Sequence, residues 1–276
     1  MFPFIIKTPA KINLGLNIVS KRKDGFHNIE TFFYPLNNLY DMLTFTFSSD
    51  FTFTSNNKNL NNERNNLILK AHKLLEKVTR KKLNVTIKLE KKIPIGAGLG
   101  GGSSDAACTL TSLNNLFKLK LSFNQLLSMA LQLGSDVPFF LKSVPAVGKS
   151  RGEILEYSNI KITKPILIVN PGIHISTEHA FQNITFEKNI FNYKYFLNNE
   201  KINYIYLKEN LTNDFEKFIF AKYPSINKIK TTMYNSGALF SLMSGTGSTV
   251  YGIFETKKDA NNCKNLFPDN YFKVIV

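Results

Sequence analysis

The chain has 276 residues, enough for one large domain or two of ordinary size around a full core. Its hydrophobic share of 43% is that of a soluble globular protein, and no stretch approaches roughly 18 uninterrupted apolar residues, which argues against a membrane span. The formal net charge of +15 raises nucleic-acid binding as a class, but the basic residues are scattered and no nucleic-acid motif accompanies them.

The opening Met1-Phe2-Pro3-Phe4-Ile5-Ile6-Lys7 is too short, and lacks the basic region, to read as a secretory signal. Next, Ile12, Leu14, Leu16 and Ile18 alternate with polar or small residues, the pattern of a half-buried strand that sets Lys11 and Asn13 on one face. Lys23-Asp24-Gly25 predicts a turn, with Phe26 and His27 directly after it. Alternation returns at Leu43, Phe45 and Phe47 and around Phe51 and Phe53, and residues 55–66 form an Asn-rich loop. Leu67, Ala71, Leu74, Leu75 and Val78 mark an amphipathic helix, and Val85, Ile87 and Leu89 a strand.

That strand delivers the chain to Pro94-Ile95-Gly96-Ala97-Gly98-Leu99-Gly100-Gly101-Gly102-Ser103-Ser104-Asp105-Ala106-Ala107. Glycines allow positive φ and close approach of the backbone to a ligand. Ala106, Ala107, Leu110, Leu113 and Phe117 then continue as a helix, with Ser103 and Ser104 at the expected N-cap. A glycine loop feeding a helix N-terminus offers free N–H groups to an anion, and a polyphosphate suits it. No Gly-Lys-Ser/Thr follows the glycines, so this is not a Walker A loop.

Ser122 and Gln125 have capping-box spacing for a further helix that stops at Gly134, the expected C′ residue. Asp136 follows among apolar residues, as either a helix cap or a carboxylate held in a site. A glycine-punctuated turn covers 146–153, and residues 161–165 look like a boundary, dividing the chain into 1–160 and 161–276. The second part opens with a buried strand at 166–170 and a turn at Asn170-Pro171-Gly172; Ser176, Thr177 and Phe181 lie near a helix start. His174 and His179 are poorly spaced for metal, and the two cysteines, Cys108 and Cys263, give neither a disulfide framework nor a metal site. Residues 186–206 are aromatic and Asn-rich without a clear period. Helices at 215–223 and 226–234 precede a strand at 240–243, the loop Ser244-Gly245-Thr246-Gly247-Ser248, a strand at 249–254, a helix and a last strand at 271–276, compatible with a split βαβ sandwich.

Three blocks, Pro9 through Asn13, the glycine loop, and Ser244 through Ser248, resemble the three motifs of the GHMP kinases, the small-molecule kinases named after galactose, homoserine, mevalonate and phosphomevalonate. The resemblance also runs through Arg22-Lys23-Asp24-Gly25-Phe26-His27, Asn66-Leu67-Ile68, Leu133-Gly134-Ser135-Asp136-Val137-Pro138-Phe139 and Gly152-Glu153, nearly the whole chain. It implies a two-domain α+β fold: an N-terminal α/β domain with a left-handed βαβ-type ATP-binding unit and a C-terminal ferredoxin-like split βαβ domain. It further implies transfer of the γ-phosphate of ATP to the 2-hydroxyl of a diphosphocytidyl methylerythritol, a step in isoprenoid precursor synthesis. Lys11 and Asp136 fall on the catalytic pair, and residues 94–104 with Asn66 on the ATP site. Asn13, Phe26, His27, Thr177, Phe181, Gly245 and Thr246 fall on the acceptor site. Magnesium is implied as a cofactor, with no protein ligands assigned. A cytoplasmic enzyme, monomeric or weakly dimeric, with no nucleic-acid or membrane partner, completes the expectation. The family usually has Tyr where Phe26 stands, and often Asp where Asn65 stands. The rivals are a homoserine- or mevalonate-type kinase, which has no cytosine to grip, and a basic nucleic-acid-binding protein.

Overall fold

A computed structural model describes residues 3–61, 65–184 and 191–276. The chain divides into two compact units interleaved in sequence: 1–10, 36–95 and 100–143 form one, and 11–35, 96–99 and 144–276 the other. The strands β1 (Phe4–Lys21) and β2 (His27–Phe47) each contribute to both.

In the first unit, β2 from Met42 to Phe47 pairs antiparallel with β4 (Val85–Glu90). β3 (Thr52–Ser55) pairs parallel with β4, so the chain between them crosses over through the short α1 (Lys58–Asn61) and α2 (Leu67–Thr79). Asn66 caps α2, accepting a hydrogen bond from the Ile68 amide. Three helices follow: α3 (Gly101–Leu116), α4 (Phe123–Leu133) and α5 (Val137–Phe140). The apolar spacing read in the sequence is the packing face, with Ile68, Ala71, Leu75, Ala106, Ala107, Leu110 and Leu113 all buried. The Ser122–Gln125 capping box is present. Gly134 ends α4, but at φ 166, an extended conformation open to any residue, and not as the left-handed C′ expected.

In the second unit, residues 29–33 of β2 pair with β5 (Ala146–Ser150), which forms a hairpin with β6 (Ile154–Tyr157). The glycine-punctuated turn at 146–153 is therefore strand and hairpin turn together. A second sheet joins β7 (Ile166–Asn170), β8 (Phe240–Met243), β9 (Val250–Ile253) and β10 (Phe272–Ile275) in the antiparallel order β10-β7-β9-β8. Between β7 and β8 lie α6 (Thr177–Gln182), α7 (Tyr195–Asn198), α8 (Tyr204–Asn210), α9 (Phe215–Lys222) and α10 (Pro224–Asn235). α11 (Lys257–Lys264) connects β9 to β10. That strand order with one helical crossover in each half is the split βαβ arrangement. Its core includes Leu167, Val169, Phe215, Ile219, Ile226, Ile229, Met233, Val250 and Phe254. Of the period-less stretch at 186–206, residues 186–190 lie outside the described residues; the rest holds α7 and the start of α8.

Candidate active site

The glycine loop alternates hands. Gly96, Gly98 and Gly100 have φ of 64°, 76° and 71°. Such alternation is the backbone pattern of nests, in which successive amides can converge on an anion. Gly100 is the N-cap of α3 and has no capping side chain, so the helix begins at Gly101. Ser103 and Ser104 therefore sit inside the first turn, not at the N-cap as the sequence suggested. The reason is packing: a Cβ at Gly101 would lie 2.9 Å from Lys91 Nζ and 3.0 Å from Ile93, so only glycine starts the helix this close. Ser104 N already donates to Gly100 O at 2.9 Å, and the amides of Gly101, Gly102 and Ser103 carry the positive end of the helix. The Ser104 hydroxyl is buried without a hydrogen-bond partner. Asn66 stands next to this turn, since Leu67 is the nearest neighbour a Cβ on Gly102 would meet, at 3.9 Å. The Asn66 side chain is already committed to Ile68 N at 2.9 Å and Leu60 O at 3.3 Å.

In the second unit, the first half of the loop meets β1 and the segment 244–248. Lys11 is not a solvated strand lysine; it is 2% exposed, and its Nζ donates to Asn13 Oδ1 and, at 3.0 Å, to Gly98 O. Asn13 Nδ2 donates to Thr31 Oγ1 at 2.9 Å, and Asn13 N to Ser244 Oγ at 3.2 Å. Ser244 Oγ in turn donates to Gly98 O at 2.9 Å. Strand alternation thus turns Lys11 and Asn13 to one buried face, where both support the loop. A Cβ on Gly245 would sit 3.5 Å from both Asn13 Oδ1 and Gly98 Cα, which measures how closely the blocks approach. Thr246 lies on the rim, its hydroxyl 3.3 Å from that of Thr177.

Three residues expected at the acceptor site, Phe26, His27 and Phe181, also belong to this unit. His27 stacks on Phe181 with centroids 4.9 Å apart and planes 23° apart. Phe181 packs edge-on against the fully buried Phe215. Phe26 is exposed, with the Arg151 guanidinium 3.6 Å above its ring, and Asp24 holds the Phe26 amide at 3.1 Å. Burial, and then the charge of Lys21, hold the His27 imidazole below its ordinary pKa. It is therefore neutral near pH 7 and presents one N–H and one acceptor nitrogen.

Asp136 belongs to the first unit, partly buried, as the residue before α5; its carboxylate makes no cap bond to that helix, so the simple capping role is not taken. Cys108 is no nucleophile, because burial in α3 pushes its thiol up to about 12. Among the described residues no cluster of three or more His, Cys, Asp or Glu could hold a metal, and no helix is long and apolar enough to cross a membrane.

Several supporting residues escaped the sequence reading. Asn213 Nδ2 donates to Met243 O and Gly245 O, both at 2.8 Å, and Asn170 Nδ2 to Ser248 Oγ at 3.1 Å and Thr249 Oγ1 at 3.0 Å. Lone asparagines in an Asn-rich chain carry no signal of such a role. The buried Lys91–Asp41–Asp105 group was missed too, although Asp105 lies inside the glycine motif.

A glycine loop opening a helix, a buried lysine braced on that loop and a split βαβ unit accord with a small-molecule kinase that uses ATP, the class that the following matches show. Residues 66–143 match the GHMP kinases N terminal domain and residues 197–272 the GHMP kinases C terminal domain. The chain is 39% identical to the 4-diphosphocytidyl-2-C-methyl-D-erythritol kinase of Pelodictyon phaeoclathratiforme, with 99% of this chain and 96% of that one covered. It is 42% identical to the enzyme so named from Cytophaga hutchinsonii, covering 93% and 95%. A crystal structure of 4-(cytidine 5'-diphospho)-2C-methyl-D-erythritol kinase superposes with a TM-score of 0.80 at 30% identity over 95% of this chain and 94% of that one. Homoserine kinase from Cytophaga hutchinsonii shares the fold alone, with a TM-score of 0.74 at 15% identity, covering 99% and 93%. The chain belongs to the GHMP kinase family and, within it, to the 4-diphosphocytidyl-2-C-methyl-D-erythritol kinases.

Proposed function

We propose that this kinase transfers the γ-phosphate of ATP to the 2-hydroxyl of 4-diphosphocytidyl-2-C-methyl-D-erythritol, giving the 2-phosphate and ADP. The observation that carries the acceptor's identity is the aromatic group Phe26, His27 and Phe181, in a chain alike over its whole length to kinases of that name. A pyrimidine offers a flat face for stacking on these rings and a donor–acceptor edge for the neutral imidazole. Homoserine and mevalonate offer neither.

In this reading the amides of Gly101, Gly102 and Ser103 and the nest before them hold the triphosphate, with Asn66 fixing the neighbouring helix start. Phosphoryl transfer leaves little covalent chemistry to the protein and relies on alignment and charge neutralisation. The acceptor is a tertiary alcohol, a poor nucleophile. Asp136 accepts its proton as the O–P bond forms and the bond from the γ-phosphorus to the bridging oxygen breaks, the electron pair leaving with ADP. Lys11, dry and braced on Gly98 O and Asn13, supplies fixed positive charge against the anionic transferring group.

Magnesium fits the donor chemistry. The ion prefers oxygen ligands and takes several from the nucleotide's own phosphates. The partnerless Ser104 hydroxyl is an oxygen donor of the right class. Bound with ATP, the ion would neutralise phosphate charge. The test is ADP release by the purified chain across a panel of alcohols. Turnover with the cytidylyl alcohol and none with homoserine or mevalonate supports the reading; the reverse selectivity overturns it.

A further inference from the structure

The glycine loop is floppy by composition, yet an anion site works only if its amides are already aimed. Behind it lies a group that the chemistry above does not use. Lys91 Nζ donates to Asp41 Oδ2 and, at 2.9 Å, to Asp105 Oδ2; the side chains are 7%, 0% and 3% exposed. Asp41 Oδ1 accepts the amides of Lys92 and, at 2.8 Å, Ile93, the last residues before the loop. Asp105, in the second turn of α3, accepts Thr8 Oγ1 at 2.6 Å on its other oxygen. One network therefore holds the chain where it enters the loop and again where it leaves. Lys91 also comes within 2.9 Å of where a Gly101 Cβ would stand, so the ammonium packs against the first residue of the helix.

We propose that Lys91, Asp41, Asp105 and Thr8 are positioning residues that set the amides of α3's first turn for the triphosphate of ATP. The assignment rests on the reading that this turn holds ATP. A buried ion pair is weak evidence for stability alone, since apolar residues of equal volume often do as well. Two carboxylates around one lysine also leave a formal negative charge behind an anion site, an arrangement that opposes phosphate electrostatically. Its value lies in geometry. Asp41 Oδ1 holds the amides at the loop's entry, and Lys91 ties Asp41 to Asp105 in the helix at its exit; fixing two ends of a glycine segment removes conformational freedom that binding would otherwise have to remove.

The test measures the dissociation constant of ATP, by titration calorimetry on the full-length chain, for wild type and for Lys91→Met, Asp105→Asn and Thr8→Val. Losing an outer-shell partner of a metal ligand typically costs about 10- to 100-fold, and partners that orient these amides are expected to act on the lower part of that scale. The expectation is a rise of about tenfold for Lys91→Met and Asp105→Asn, and a smaller rise for Thr8→Val, which loses one hydrogen bond. KM for the acceptor alcohol stays at the wild-type value. A folded variant that melts lower yet binds ATP as wild type does would make the network merely structural and overturn the proposal, as would equal losses for ATP and acceptor. Should Lys91→Met not fold, Asp105→Asn and Thr8→Val decide the matter. Wild type that binds no ATP would instead overturn the reading of the loop, and this proposal with it.

Discussion

Gly98→Ala isolates the requirement for glycine at the centre of the loop. A Cβ built there lies 2.1 Å from the carbonyl oxygen of Ser244 and 3.2 Å from that of Gly247, and φ is +76°. Both neighbours are backbone, so no side chain can swing away. The left-handed conformation costs an alanine roughly 1–2 kcal/mol. Forcing the segments apart adds about 1–3 kcal/mol, the usual range for overpacking. The sum is about 2–5 kcal/mol, which in a chain of this size lowers the melting temperature by about 4–20 °C. Activity falls as well, because Gly98 O is the shared acceptor of Lys11 Nζ and Ser244 Oγ. Gly102→Ala is the control: its new methyl meets nothing closer than Leu67 at 3.9 Å, and its backbone is helical. There alanine adds up to about 1 kcal/mol of helix preference, and melting holds or rises. Differential scanning calorimetry on the two variants decides it. Equal melting temperatures for Gly98→Ala and wild type would refute the close approach of the two loops.

Asp136→Asn, nearly the same in shape and volume, keeps the fold and loses about 100- to 10,000-fold in kcat, the usual worth of a general base; near-normal turnover in a steady-state assay would remove Asp136 from that role. Phe181→Ala raises KM for the cytidylyl alcohol by about 5- to 100-fold, as expected for one lost stacking ring, and leaves KM for ATP alone; matching losses for both substrates would disperse the proposed pocket. Burial raises the Asp105 carboxyl to about 6, so the folded chain holds this proton more tightly than the unfolded chain does. The stability it contributes is complete below about pH 4 and lost as pH rises through about 6. The melting temperature of wild type relative to Asp105→Asn therefore drops across that window, and a pH-independent difference would contradict it.

How much was legible in the sequence follows from the kind of signal each element carries. α2, β4, α4 and the strands of the second sheet announce themselves by apolar period and caps, because burial of one face is what forms them. Two of the three motif blocks, the glycine loop and 244–248, were readable because Gly98, Gly245 and Gly247 hold positive φ, which other residues rarely adopt. The start of α3 was misread because two serines looked like caps, whereas the actual cap is the left-handed Gly100, and the helix begins at Gly101, packed on Lys91 and Ile93. Lys11 pairs with an element far along the chain, and alternation alone could not distinguish its buried side from a solvated one. The same holds for Asp41, Lys91 and Asp105, whose partners lie up to 97 positions apart. The interleaving of the two units was hidden too, because β1 and β2 pass through both without any break in composition.

The central claim is that phosphorus moves from ATP to an alcohol on a cytidylyl acceptor. Phosphorus NMR of a reaction containing the chain, magnesium, ATP and 4-diphosphocytidyl-2-C-methyl-D-erythritol tests it without any coupling enzyme. A new phosphomonoester resonance growing in step with ADP, while the acceptor's diphosphate signals persist, is the predicted result. Free orthophosphate growing in step with ADP, with the acceptor unchanged, would contradict it.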